Sequence, residues 1–190
     1  MRGVDSMKII TVIVMLLLFN ISNVNANIIM GDPNGKVTLV EFYDYQCPHC
    51  KNIAPIIAAL IKNNPNLRVI YRPIAVLNTL STLEATSALV AAKHDDFYNV
   101  HKMFMTNEIT SSKQLIQLTQ MLNISLATLQ HEMQSPVIQD ELQENTQLFY
   151  NLGATHIPLI LIGNKHQVLW MHSGEASYEA LQHECAKQSA

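Results

Sequence analysis

Two cysteines, Cys47 and Cys50, close the stretch VEFYDYQCPHC and enclose only Pro48 and His49. Thiols at that spacing can clamp a metal, staple the chain or carry a reversible redox couple. A strand that ends just before Cys47 and a helix that starts at Pro48 would put Cys47 at a helix N-terminus. Unpaired backbone N–H groups and the macrodipole favour negative charge there, and hence a thiolate. Cys50 would lie one turn on, close enough to bridge without backbone strain and more buried than its partner. Pro48 suits a first turn because it has no N–H to leave unpaired. His49, as an imidazolium or an N–H donor, can further stabilise the thiolate.

The other chemistries have less support. A structural zinc site needs two more ligands at similar spacing, and the chain has neither a second Cys-X-X-Cys nor a later His pair three to five residues apart. A permanent disulfide across so short a loop removes little entropy from the unfolded chain. Nine Met and eight His could suit copper, but the Met are scattered and read mostly as core filler.

The elements that must position the pair follow from periodicity. KVTLVEFYDY, after the turn GDPNG (31–35), is apolar on both alternating sets, as in a strand covered on both faces. From Pro48 to about Asn64 the apolar residues Ile53, Ile56, Ile57, Leu60 and Ile61 recur at helical spacing. LRVIYRPI (67–74) is a second strand, giving a right-handed parallel crossover. From about Leu77 to Leu152 the pattern is helical, four or five helices, with a capping box at Ser81–Glu84, N-caps at Ser112 and Ser125, and Pro136 at a first helical position. IPLILIG (157–163) and HQVLWMHSG (166–174) read as a hairpin, and a last helix begins near Ser177.

Length and composition bound the rest. At 190 residues, 48% hydrophobic and 14% charged, the chain can bury a core as one domain. Residues 1–26, with Arg2 and Lys8 before an apolar run (Ile9 to Phe19) and Val24-Asn25-Ala26 at its end, read as a secretory signal peptide. The run is shorter than the roughly 20 residues a membrane span needs. Its removal takes away two positive charges and one negative, so the formal charge moves from −3 to −4. Nucleic acid is not an expected partner, because no basic run tracks phosphates. Outside the cytosol, closely spaced thiols are expected to oxidise.

The order βαβ, helical insert, ββα, with Cys-X-X-Cys opening the first helix, resembles the DsbA family of periplasmic thiol oxidases. The likeness rests on VEFYDYQCPHC, on CKNIAPI with Pro55, on Pro158 before the late strand, and on the helical block between the two halves. It implies an α/β thioredoxin fold over residues 27–76 and 153–190 with an all-helical insertion over 77–152. It further implies a dithiol oxidase with Cys47 as nucleophile, reduced exported proteins as clients, a quinone-linked DsbB-like membrane partner, and no metal or organic cofactor. The periplasm is the expected compartment and a monomer the expected state. A disulfide isomerase or reductase, or a non-catalytic chaperone or metal carrier, stands as the alternative; related isomerases usually carry an N-terminal dimerisation domain, and here about twenty residues separate Ala26 from Cys47.

Glu41 falls six residues before Cys47 in a strand that otherwise reads as buried, where a carboxylate costs energy unless it has a partner or a purpose. A salt bridge to Lys51 would supply the first. The family likeness supplies the second, a buried acid that moves protons to and from Cys50. It also implies that Pro158 is cis and faces the disulfide, with the Ile157 backbone free to pair with a client peptide. Trp170 reads as core, His94 and His101 as surface or capping residues, and Cys185 as a buried thiol of the last helix.

Overall fold

The computed structural model describes residues 28–106 and 112–189; the expected signal peptide lies outside them. Five strands form one mixed sheet in the order β1-β3-β2-β4-β5. They are β1 (Ile29–Gly31), β2 (Val37–Tyr43), β3 (Leu67–Pro73), β4 (Leu159–Gly163) and β5 (Val168–Ser173). β2 runs parallel to β3 and antiparallel to β4, and all seven of its residues are buried. Leu39 and Tyr43 pack into one core with Ile53, Ile57 and Leu60. Val40 and Phe42, on the other face, pack with Leu148, Phe149 and Leu161. A strand covered on both faces is thus the reason that its sequence shows no polar alternation.

Helix α1 (Pro48–Asn63) crosses from β2 to β3. Cys47 is its N-cap in extended conformation, and Pro48 occupies the first turn. Pro55 lies inside α1 and cannot bond the Lys51 carbonyl; it sits on the exposed side, where water can take that place. Among the described residues five helices lie between β3 and β4: α2 (Thr79–Lys93), α3 (Phe97–Thr106), α4 (Ser112–Leu122), α5 (Leu126–Met133) and α6 (Pro136–Asn151). α7 (Tyr178–Ser189) closes the fold through Leu181 and Cys185, both buried.

Three local readings change. Asn78, not Ser81, caps α2: its side chain accepts from the backbone N–H of Leu80 and Ser81, and the Ser81 hydroxyl completes the box by accepting from the Asn78 N–H. Glu84 serves elsewhere, as the acceptor of a hydrogen bond from the Gln46 side chain. Edge strand β1, antiparallel to β3, has only three residues, too few to show a period. β4 starts at Leu159, one residue past Pro158, which has no N–H to give a ladder. At its far end Gly163 sits in a bulge where a Cβ would meet the Gln167 carbonyl oxygen at 2.1 Å.

Candidate active site

The turn from β2 into α1 is built on Asp44. This fully buried carboxylate accepts from the Gln46 N–H at 2.9 Å with one oxygen, and from the Val76 and Leu77 N–H groups at 2.9 and 3.2 Å with the other. Its carbonyl accepts from the Cys47 N–H at 3.0 Å. Gln46 in turn donates to Glu84 of α2 at 2.7 Å. The head of α1 is therefore tied to the helical block, and Cys47 is held at a fixed place above the sheet. No local pattern in the sequence marks Asp44, because Val76 and Leu77, which anchor its second oxygen, lie more than thirty residues away.

Cys47 and Cys50 are free thiols, 4% and 0% exposed. They are chemically unequal. The Cys47 thiol is pulled from 9.0 down to about 6, first by a hydrogen bond from the Cys50 thiol, then, against the opposing effect of burial, by the backbone N–H groups of Cys50 and His49 and by the His49 charge. Cys50 is pushed far above the ordinary thiol range, chiefly by burial, then by its bond to Cys47 and by the Glu41 charge. So Cys47 carries the thiolate and Cys50 keeps its proton. The charge of His49 is the weakest of these influences on Cys47, and the neighbouring thiol is the strongest.

Glu41 is fully buried, and neither carboxylate oxygen has a hydrogen-bond partner. Burial, and then the charge on Cys47, push it from 4.5 up to about 8. Pro158 is cis after Ile157 and buried. The Cys47 sulfur lies 3.8 Å from the Ile157 carbonyl oxygen and can donate to it as a thiol. All seven residues singled out in the sequence thus gather at one end of the sheet around the head of α1 or beneath it.

Behind the thiols lies a buried aromatic cluster. The hydroxyls of Tyr43 and Tyr45 are 2.9 Å apart, and Tyr45 shares a hydrogen bond of 3.1 Å with Nδ1 of His101. His101 is 5% exposed and packs edge-on against Tyr43 and Tyr45, tilted against Tyr71 and stacked on Phe97. The expectation of a surface or capping histidine is corrected here: burial lowers His101 to about 3, so it stays neutral. His101→Ala would leave a cavity and take one partner from Tyr45, for an expected loss of about 2–4 kcal/mol, readable as a lower urea midpoint of the reduced protein. An unchanged midpoint would contradict this account of the cluster.

His94 does cap α2, and it bonds Glu132 of α5. Trp170 is half-buried and stacks on His172 with centroids 5.3 Å apart. Burial raises the Cys185 thiol to about 11, which keeps it protonated. Among the described residues no group of three or more His, Cys, Asp or Glu side chains is placed to hold a metal ion.

The family model of the DSBA-like thioredoxin domain matches residues 38–186. Among solved structures, a thioredoxin-like oxidoreductase from Silicibacter pomeroyi superposes with a TM-score of 0.80 at 24% identity, over 92% of this chain and 96% of that one. A periplasmic thioredoxin-like protein from Salmonella enterica superposes at 0.77 with 22% identity, over 98% of each chain. The thiol-disulfide exchange protein alpha-DsbA2 from Wolbachia pipientis does so at 0.73 with 21% identity, over 92% and 95%. An 82-residue stretch is 24% identical to part of the Na(+)/H(+) antiporter NhaA 3 of Salinispora tropica, which is 42% of this chain and 13% of that protein's length. Among the described residues no helix is long and apolar enough to cross a membrane.

Proposed function

Because the chain belongs to the family of DSBA-like thioredoxin domains, we propose that it is a thiol:disulfide oxidoreductase and, within that class, a periplasmic dithiol oxidase, which donates a Cys47–Cys50 disulfide to folding exported proteins. The inequality of the two thiols carries this reading. A disulfide is readily given up when one of its thiols is a stable thiolate, because that sulfur is the better leaving group, and Cys47 is lowered to about 6.

In the reaction a client thiolate attacks the Cys47 sulfur of the oxidised protein. A client–Cys47 bond forms, the Cys47–Cys50 bond breaks, and its electron pair stays on Cys50. Cys50 strongly favours the protonated state, and Glu41, at about 8, can carry a proton at neutral pH and hand it over. A second client thiolate then attacks the client sulfur, and Cys47 departs as a thiolate. The client has lost two electrons and the protein has gained them. The Ile157 backbone beside cis Pro158 would hold the client peptide over Cys47. Reoxidation would fall to a quinone-linked DsbB-like membrane protein, with the exported chain acting as a monomer freed of residues 1–26.

Thermal melts of the two redox forms across pH test the oxidase reading. The folded Cys47 thiol titrates below its unfolded value of 9.0, so its contribution to the stability of the reduced protein is full above about 9 and lost as pH falls through about 6. Reduced protein is therefore expected to melt above oxidised protein at neutral and mildly alkaline pH, with the gap narrowing as pH falls from about 9 and the Cys47 contribution gone below about 6. An oxidised form more stable at every pH would favour a reductase or a structural bridge.

A further inference from the structure

His49 is tethered across the fold. Its Nδ1–H donates to Oε1 of Glu175, in the loop between β5 and α7, and the Asn52 side chain donates to the same oxygen at 2.9 Å. The loop is braced from behind, because Nε2 of His172 donates to the Glu175 carbonyl at 3.0 Å and the His172 ring stacks on Trp170. One carboxylate thus joins two residues of the first turns of α1 to the end of β5. We propose that Glu175 is a positioning residue of the redox centre, which holds His49 by Nδ1 beside the Cys-X-X-Cys turn and so governs what His49 contributes to Cys47.

The direction of this effect is not obvious in advance, which makes it testable. Glu175 brings a negative charge of its own towards Cys47, and that charge alone would raise the thiol. Acting through His49 it does the opposite. His49 lies in the Cys-X-X-Cys turn, its charge lowers Cys47, and Cys47 in turn raises His49. The groups facing His49 are Glu175 and Cys47; those facing Glu175 are His49 and Asn52, with His172 on its carbonyl. Glu179, the acid in the first turn of α7, is engaged with Ser177. The bond to Glu175, followed by its charge, raises His49 above 6.5, while the carboxyl itself is held below its usual range by the His49 and Asn52 bonds. His49 and Glu175 side chains are 66% and 43% exposed, so the effect should be that of a solvent-screened pair, a modest tuning of the potential.

This inference rests on the reading of Cys47 as the exchanging thiol. The experiment is Glu175→Gln in the full mature chain, alone and in a His49→Ala background. The readouts are His49 titration by NMR, Cys47 thiolate absorbance against pH, and the equilibrium constant with glutathione. Expected are a fall of the His49 midpoint towards 6.5, a rise of the Cys47 midpoint, a disulfide about two- to fivefold less oxidising, and no effect of the substitution once His49 is alanine. A Cys47 midpoint that falls or stays put overturns the proposal, as does a shift of equal size in the His49→Ala background, which would mean that Glu175 acts by its own charge. The wild-type redox melts above decide the oxidase reading independently.

Discussion

Cys50→Ala is expected to turn a transient intermediate into an accumulating one. In the proposed reaction Cys47 forms the mixed disulfide, and the one intramolecular nucleophile able to clear a stalled adduct is Cys50. Without it no Cys47–Cys50 bond can form, so the Cys47 thiolate instead attacks a client's disulfide: one client sulfur leaves as a thiolate and the other stays bonded to Cys47 for want of the resolving thiol. On non-reducing gels of the exported fraction, client adducts should rise from undetectable to abundant, and reductant should remove them. Cys47→Ala should give none, since Cys50 is wholly buried and holds its proton. The third thiol does not confuse the result, because Cys185 is buried and protonated as well. Equal trapping by the two variants would sink the assignment of Cys47 as the attachment point.

The second large effect is on stability. Glu41→Leu should stabilise the reduced protein near neutral pH while slowing client exchange. A folded carboxyl that titrates at about 8 instead of 4.5 binds more protons than the unfolded chain between those values, so folding weakens as pH rises through that window and levels off above it. Below 4.5 the penalty vanishes. At pH 7 the cost is on the order of 3 kcal/mol, consistent with a buried carboxylate whose oxygens have no hydrogen-bond partner. Urea unfolding of wild type and variant at pH 4.5, 7 and 8.5 checks this. Their difference isolates Glu41 from the opposite trend of Cys47. A difference that does not grow from pH 4.5 to 8.5 would show that Glu41 is solvated or paired in solution. Exchange should be slower in the variant, because the proton destined for Cys50 has lost its buried carrier.

Both predictions concern residues that stand out in the chain itself. Cys47 and Cys50 are marked by spacing, and Glu41 by its place in an apolar run. Short-range rules suffice for such features: a two-sided apolar strand, a 3.6-residue period after Pro48, and a thiol at a helix start each declare themselves within a dozen residues. The same rules located β3, the hairpin and the block of helices. They faltered where the deciding partner is distant or the element too short. β1 has three residues. The cap of α2 went to Asn78 because two rival caps stand three residues apart and the fold used both, one as cap and one as its reciprocal partner.

What the tertiary structure alone decided is the chemical ranking within the site. In sequence, His49 and the helix terminus are the visible sources of Cys47 acidity, yet the largest influence is the bond from Cys50, which depends on side-chain orientation. Asp44 secures the site through Val76 and Leu77, Tyr45 meets His101 of α3, and His49 meets Glu175 from 126 residues along the chain. No local pattern encodes these pairs, because the energy of a hydrogen bond or of a buried charge depends on distance and on the exclusion of water, and both are set only when the sheet, α1 and the helical block have packed. The helix start in the sequence already pointed to a thiolate at Cys47 and a buried Cys50; packing decided which neighbours act on each thiol and in what order of strength.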